Sequence, residues 1–274
     1  MNWINKLQNI DRRVIYIILV VVCLIPMMRP LGIPLSIAQS TQKAYDKVEA
    51  LDPARDIVLV TLNYAPGSAP DIHSAAVAMT EHMAERGVKF WINSFVDTGP
   101  MFGEQILSAL EAKGYKYGTD FVNLPFLAGT ETAVRNFGAD PRGSYTVDTR
   151  GNPIDSLPVM QLVDQVTDFT FFACFESGGG YMDLMRQVTD PNNIPFMVGM
   201  VTVSIPNIMP FYNSGQLFAF IAGLRGAAEY EVLLGTPGSA AAKMDAQSLG
   251  HIVIIVFIVL GNVAHFAEKR RKQG

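Results

Sequence analysis

The stretch from Asp168 to Val188, DFTFFACFESGGGYMDLMRQV, decides the reading of the fold because it holds a strand, a turn and a helix in one unit. Phe169 to Phe175 is short, apolar and aromatic, as a core strand is. Gly178, Gly179 and Gly180 break it, and Tyr181 to Val188 resumes at helical spacing. Similar units stand before and after it. The middle of the chain therefore reads as an α/β domain, Rossmann-like or flavodoxin-like. It would have a mainly parallel sheet of about five strands covered by helices, with any functional edge at turns of this kind.

Upstream, Asp56 to Asn63 (DIVLVTLN) is a near-continuous β-branched run, expected of a strand covered on both faces. A helix follows from Asp71, where Ile72, Ala76, Met79 and Met83 recur at spacings of three and four and Gly87 terminates the pattern. Val88 to Phe95 is the next strand and Met101 to Ala112 the next helix. Asp120 to Leu127 is a strand whose Pro125 points to an edge or a bulge. Glu131 to Phe137 is a short helix. Gly138 to Pro158, dense in Gly, Pro and Asp, is a long excursion of the sort that tends to be functional or to mediate contacts. Downstream, Pro195 to Ser204 reads as a fifth strand and Pro206 to Pro210 as its exit loop. Asn213 to Leu234 reads as the longest helix of the domain, with Gly223 and Gly226 as places for close backbone approach between protomers.

The ends differ from this middle. Val14 to Met28 is uninterrupted apolar sequence that can extend through Leu31 to Ile37 if its prolines kink it, and a membrane span needs about 20 residues. We read it as a retained anchor rather than a signal peptide cleaved near Ser36-Ile37-Ala38. Leu249 to Phe266 is a second span, followed by Lys269, Arg270, Arg271 and Lys272, a basic run that belongs in the cytoplasm. Two spans then place both termini in the cytoplasm and the central domain outside the cell membrane. Within the second span Asn262 needs a hydrogen-bonding partner, from the first anchor or a neighbouring protomer. The expected organisation is a cytoplasmic tip and first span (1–37), a membrane-proximal linker (38–55) and the extracytoplasmic domain (56–238). A membrane-proximal segment with the second span (239–267) and a basic tail (268–274) complete it.

The net charge of −4 and the lack of a basic cluster interleaved with aromatics exclude a nucleic-acid surface. Cys23 and Cys174 sit in different apolar segments and predict no disulfide. In an open parallel sheet, ligands sit at the carboxyl ends of strands, which gathers Asn63, Tyr64, Asp97, Thr98, Glu176 and Ser177 as ligand-binding candidates. Such a set suits a sugar-like or cationic ligand, or a hard metal ion between Asp97 and Glu176. The same residue types also cap helices and make turns in any α/β domain. The glycine turn lacks the phosphate-loop and dinucleotide patterns. Ser177 lacks the leading glycine of a hydrolase elbow, and His73 and His82 are nine positions apart on one helix. No catalytic set, metal site or cofactor is expected. The chain reads as a membrane-anchored structural or interaction subunit, partnered by the lipid bilayer and by copies of itself or other membrane proteins. An extracytoplasmic ligand-binding or sensory domain is the alternative, and a hydrolase stands behind both.

Overall fold

The computed structural model describes residues 11–273, and they divide into two compact units. One comprises Ser36–Thr236, and the other joins the stretch up to Leu35 with the stretch from Pro237 onward.

The larger unit is a six-stranded sheet in which every pairing is parallel, in the order β3-β2-β1-β4-β5-β6. The strands are β1 (Ile57–Asn63), β2 (Lys89–Ser94), β3 (Phe121–Phe126), β4 (Phe171–Glu176), β5 (Phe196–Met200) and β6 (Ala219–Ala222). β1 and β4 are buried along their whole lengths, which is why their sequences run apolar without alternation. β3 lies at an edge, and its register against β2 shifts between Ile92 and Ser94, which accommodates Pro125 as expected. The strand order reverses between β1 and β4, so the chain leaves the two strands in opposite lateral directions and opens a crevice at their carboxyl ends.

Helices α2 (Gln39–Glu49), α3 (Ala69–Glu85), α4 (Gly99–Ala112) and α9 (Gly223–Leu233) form one covering layer, in which α3 packs on α4 and α9 packs on both α3 and α2. The other elements are α5 (Thr130–Ala139), α6 (Tyr181–Leu184) and α8 (Ile205–Ser214), with the short turns between them. α6 runs on through a π-turn, Met185–Thr189, into α7 (Asp190–Asn192). The core is aromatic, with Trp91, Phe90, Phe121, Phe171, Phe172, Phe175 and Phe196 essentially inaccessible.

Several expectations need correction. The sheet has six strands rather than about five, because Asn213 to Leu234 is not one helix: it contains the tail of α8, then β6, then α9. The break is forced at Gly223, whose φ of +48 lies in the left-handed region. Pro206 to Pro210 is not a loop but lies within α8. The Gly138 to Pro158 excursion is ordered against the domain. Arg150 lies 3.7 Å over the Tyr117 ring and pairs with Glu104 and Glu111 of α4, and the Trp91 indole N–H donates to the Val159 carbonyl at 3.0 Å.

The smaller unit consists of α1 (Arg12–Met28), a non-helical stretch after it, and α10 (Ser239–Gln273). Among the described residues α10 is the one helix long and apolar enough to cross a membrane, over Ser239–Ala267. α1 has 17 residues and stops at Met28, so the first apolar segment does not continue as helix to Ile37. The two helices run antiparallel. Gly250 faces Leu19 and Cys23, the Cys23 thiol donates to the Ala246 carbonyl at 3.7 Å, and Asp245 accepts from the Leu31, Gly32 and Ile33 amides at 2.7, 3.1 and 3.3 Å.

Candidate functional site

The carboxyl ends of β1 and β4 meet at Asn63 and Glu176, the last register pair of the two strands, each only 3% exposed. Asn63 is oriented by the Phe95 amide, which donates to its Oδ1 at 2.9 Å and thereby turns Nδ2 the other way. Glu176 Oε1 accepts from the Gly178 amide at 2.7 Å. Glu176 Oε2 is buried without a hydrogen-bond partner. Burial pushes this carboxyl up to about 7; the Gly178 amide, the Asn63 side chain and the Ser177 and Tyr181 amides pull less strongly the other way.

The glycine turn over this carboxylate has a specific steric reason. A Cβ on Gly180 would lie 2.9 Å from Glu176 Oε2 and 3.2 Å from Asn63 Nδ2, so a side chain there would crowd both the carboxylate and the amide beside it. Gly178 and Gly179 are exposed and Ser177 is half-buried.

Tyr64 is buried next to Asn63, and its phenol shares a hydrogen bond with His73 Nδ1 at 2.8 Å while its ring packs on Phe102 at 4.7 Å. Burial drives its ionisation upward, so it stays a neutral phenol. Thr98 donates from its hydroxyl to the Tyr64 carbonyl at 3.1 Å and tightens the β2 exit against that of β1. Asp97 is exposed, in contrast to Glu176. Among the described residues no three of His, Cys, Asp and Glu gather to hold a metal ion. Cys174 is buried inside β4 with its thiol pushed up by burial, which makes it a small core hydrophobe rather than a nucleophile.

Two polar centres escaped the sequence reading. Asp71, in the first turn of α3, accepts from the Thr202 amide at 2.6 Å, the Thr202 hydroxyl at 3.1 Å and the Leu224 amide at 2.8 Å. It thereby ties together the exits of β1, β5 and β6. His82 is buried: Nδ1 is bonded to the Tyr230 hydroxyl at 2.9 Å and Nε2 to Glu49 at 2.9 Å, while Tyr45 stacks on the ring at 4.8 Å. Burial holds its pKa below the ordinary histidine range, and with both ring nitrogens engaged it is a structural group.

The glycines singled out for contact are buried within the domain. A Cβ on Gly223 would collide with Thr202 Oγ1 and lie 2.5 Å from Asp71 Oδ1, and one on Gly226 would lie 2.8 Å from Ile221 Cγ2. Their close backbone approach is used inside this chain. Asn262 is exposed on α10.

No protein-family model matches the chain, and no curated protein and no solved structure matches it either. The loops leaving β1 to β5, residues 64–70, 95–98, 127–129, 177–180 and 201–204, contain no Lys or Arg. The acidic groups at this edge include Asp71, Asp97, Glu131 and Glu176, so negative side chains outnumber positive ones there.

Proposed function

We propose that this chain is a membrane-anchored structural or interaction subunit, held in the cell membrane by two spans, α1 and α10, and presenting its α/β domain on the extracytoplasmic side. The observation that carries this reading is the apolar exterior of the helix pair. On α1, Ile17 (62%), Val20 (57%) and Met27 (60%) face outward; on α10, Ile255 (58%), Ile258 (56%) and Val259 (53%) do. Leaving a large aliphatic side chain in water instead of an apolar medium costs about 1.5–3 kcal/mol each, so a hydrocarbon surrounding is the stable one for this pair. The 17 residues of α1 fall at the short end of the span range, about 17–25 residues.

The antiparallel pairing would return the chain to the side on which it entered, and the basic run Lys269 to Lys272 favours the cytoplasm for that side. Asn262 lies exposed in the apolar part of α10, where a partner's hydrogen bond would be favourable, and this supports assembly with copies of itself or other membrane proteins. Native mass spectrometry of the protein extracted from its own membranes in mild detergent tests the assembly. A homo-oligomer or a complex with other membrane proteins supports the reading; a monomer with no protein partner contradicts it.

A further inference from the structure

Between His251 and Phe266 the helix α10 carries three polar side chains, His251, Asn262 and His265. At about 100° per residue of α-helix all three fall on one stripe with Ile255 and Ile258, each within about 40° of its centre. The steps from His251 through Ile255, Ile258 and Asn262 to His265 are four, three, four and three residues, the spacing of a coiled-coil seam. α10 has another seam of the same spacing, through Ala246, Gly250, Val253, Phe257, Leu260 and Ala264, whose members are buried or half-buried. That seam is occupied by α1: Gly250 faces Leu19 and Cys23, and the Cys23 thiol donates to the Ala246 carbonyl. The polar stripe lies roughly 140° round the helix from it, and each of its five members is exposed. The Asn262 amide therefore faces away from α1, and its partner is not the first span.

We propose that this stripe is the contact between two copies of the chain, which pack α10 against α10 as a parallel pair about a two-fold axis along the bilayer normal. The proposal rests on the reading of α1 and α10 as membrane spans. A second copy enters the membrane in the same orientation, so the axis sets each position of the stripe opposite itself and at the same depth. Each side chain must then complement its own copy. An Asn does, because its amide has donors and an acceptor, and an uncharged imidazole has one of each. A charged group would meet its like, and α10 contains no Asp, Glu, Lys or Arg from Gln247 to Phe266.

Asn262 is the member that specifies the contact. Hydrocarbon offers its amide no hydrogen bond, whereas two Asn amides across a parallel seam bond each other, and a single Asn in a seam fixes register and the number of helices. The neighbouring Gly261 is exposed, and a Cβ there would meet no atom within 4 Å. Packing within the chain does not require this glycine; beside the stripe it lets a second helix come close. An unrelated membrane protein would need a polar stripe matched to this one in depth and spacing, which a second copy has by symmetry.

The test is disulfide crosslinking of the full-length protein in its own membranes, with Cys23→Ala as background and Cys174 left in place because it is buried in β4. Ile255→Cys and Ile258→Cys put a thiol on the stripe. Ile252→Cys and Val259→Cys put one about 80–100° away from its centre. The four native side chains are almost equally exposed, 58% and 56% on the stripe against 53% and 53% off it, so exposure alone would crosslink them alike. With copper phenanthroline as oxidant, the stripe positions are expected to give at least about five times as much covalent dimer as the other two. In mild detergent, Asn262→Leu is expected to raise the dimer dissociation constant roughly 3- to 30-fold by sedimentation equilibrium, and Asn262→Gln, which keeps the amide, to raise it less. Equal dimer yield at all four positions, or dimer at none, overturns the proposal, as does an Asn262→Leu dimer as tight as the wild type. Extraction with alkaline carbonate separates these failures from failure of the anchoring reading: a chain that stays in the membrane keeps its anchors and loses only the proposed contact, whereas a chain that carbonate releases overturns both.

Discussion

Replacing Glu176 with Gln isolates the energetic consequence of the buried carboxyl. In the folded chain the group ionises near pH 7, against an ordinary value of 4.5. The unfolded chain therefore gives up the proton first as pH rises, binds fewer protons than the native state between the two values, and gains relative to it. The wild type carries this group's full stability below about pH 4.5 and loses it as pH rises toward about 7. At about 1.4 kcal/mol per pH unit the total loss is about 3 kcal/mol, of which about 2.5 kcal/mol falls between pH 5 and pH 8. For a folding unit of this size 1 kcal/mol moves Tm by about 2–4 °C, so the loss corresponds to roughly 5–10 °C. Gln cannot ionise, while every other titrating group, His82 included, is common to both proteins. Thermal unfolding of wild type and Glu176→Gln in the same detergent, at about pH 5 and about pH 8, should show the difference in Tm moving in favour of the variant by that amount. Parallel behaviour of the two proteins would refute the reasoning, because it would mean that Glu176 is solvated or paired.

Other perturbations test other parts of the structure. Asp71→Asn weakens three bonds that join the exits of β1, β5 and β6 and should cost about 1.5–3 kcal/mol in chemical denaturation. Gly223→Ala combines a left-handed φ of +48 with a collision against Thr202 and should destabilise by roughly 2 kcal/mol or more, read as a lower denaturation midpoint with an unchanged slope. Tyr230→Phe removes the bond to His82 Nδ1 and should cost about 1 kcal/mol by the same measurement.

Much of the sheet was readable because its signals are local. The unbroken apolar runs of β1 and β4, the terminating Gly87 and the edge-seeking Pro125 each state their own environment within a few residues. β6 was not readable. It is four residues long, and the apolar residues around it, Leu217, Phe220, Ile221 and Leu224, recur at spacings that also fit a helix. What makes it a strand is its pairing with β5, and what stops the helix running through it is the conformation of Gly223. The candidate site divides in the same way. Asn63 and Glu176 could be placed at strand exits, but the exclusion of water from Glu176 depends on the β1–β4 register and the turn folded above it. Asp71 reads locally as a helix first-turn carboxylate, yet its partner Thr202 lies 131 positions away. His82 likewise meets Glu49 and Tyr230 only once α2, α3 and α9 have packed.

In the proposed topology two membrane spans would hold the α/β domain outside the cell with both termini inside. Single-cysteine labelling with a membrane-impermeant maleimide tests it most directly. One probe is Arg55→Cys, whose side chain is 79% exposed on the domain, and the other is Lys269→Cys, past the apolar part of α10. Arg55→Cys is expected to be labelled in intact cells and Lys269→Cys only after the membrane is permeabilised. Protection of Arg55→Cys in intact cells, or labelling of Lys269→Cys alongside it, would contradict this topology.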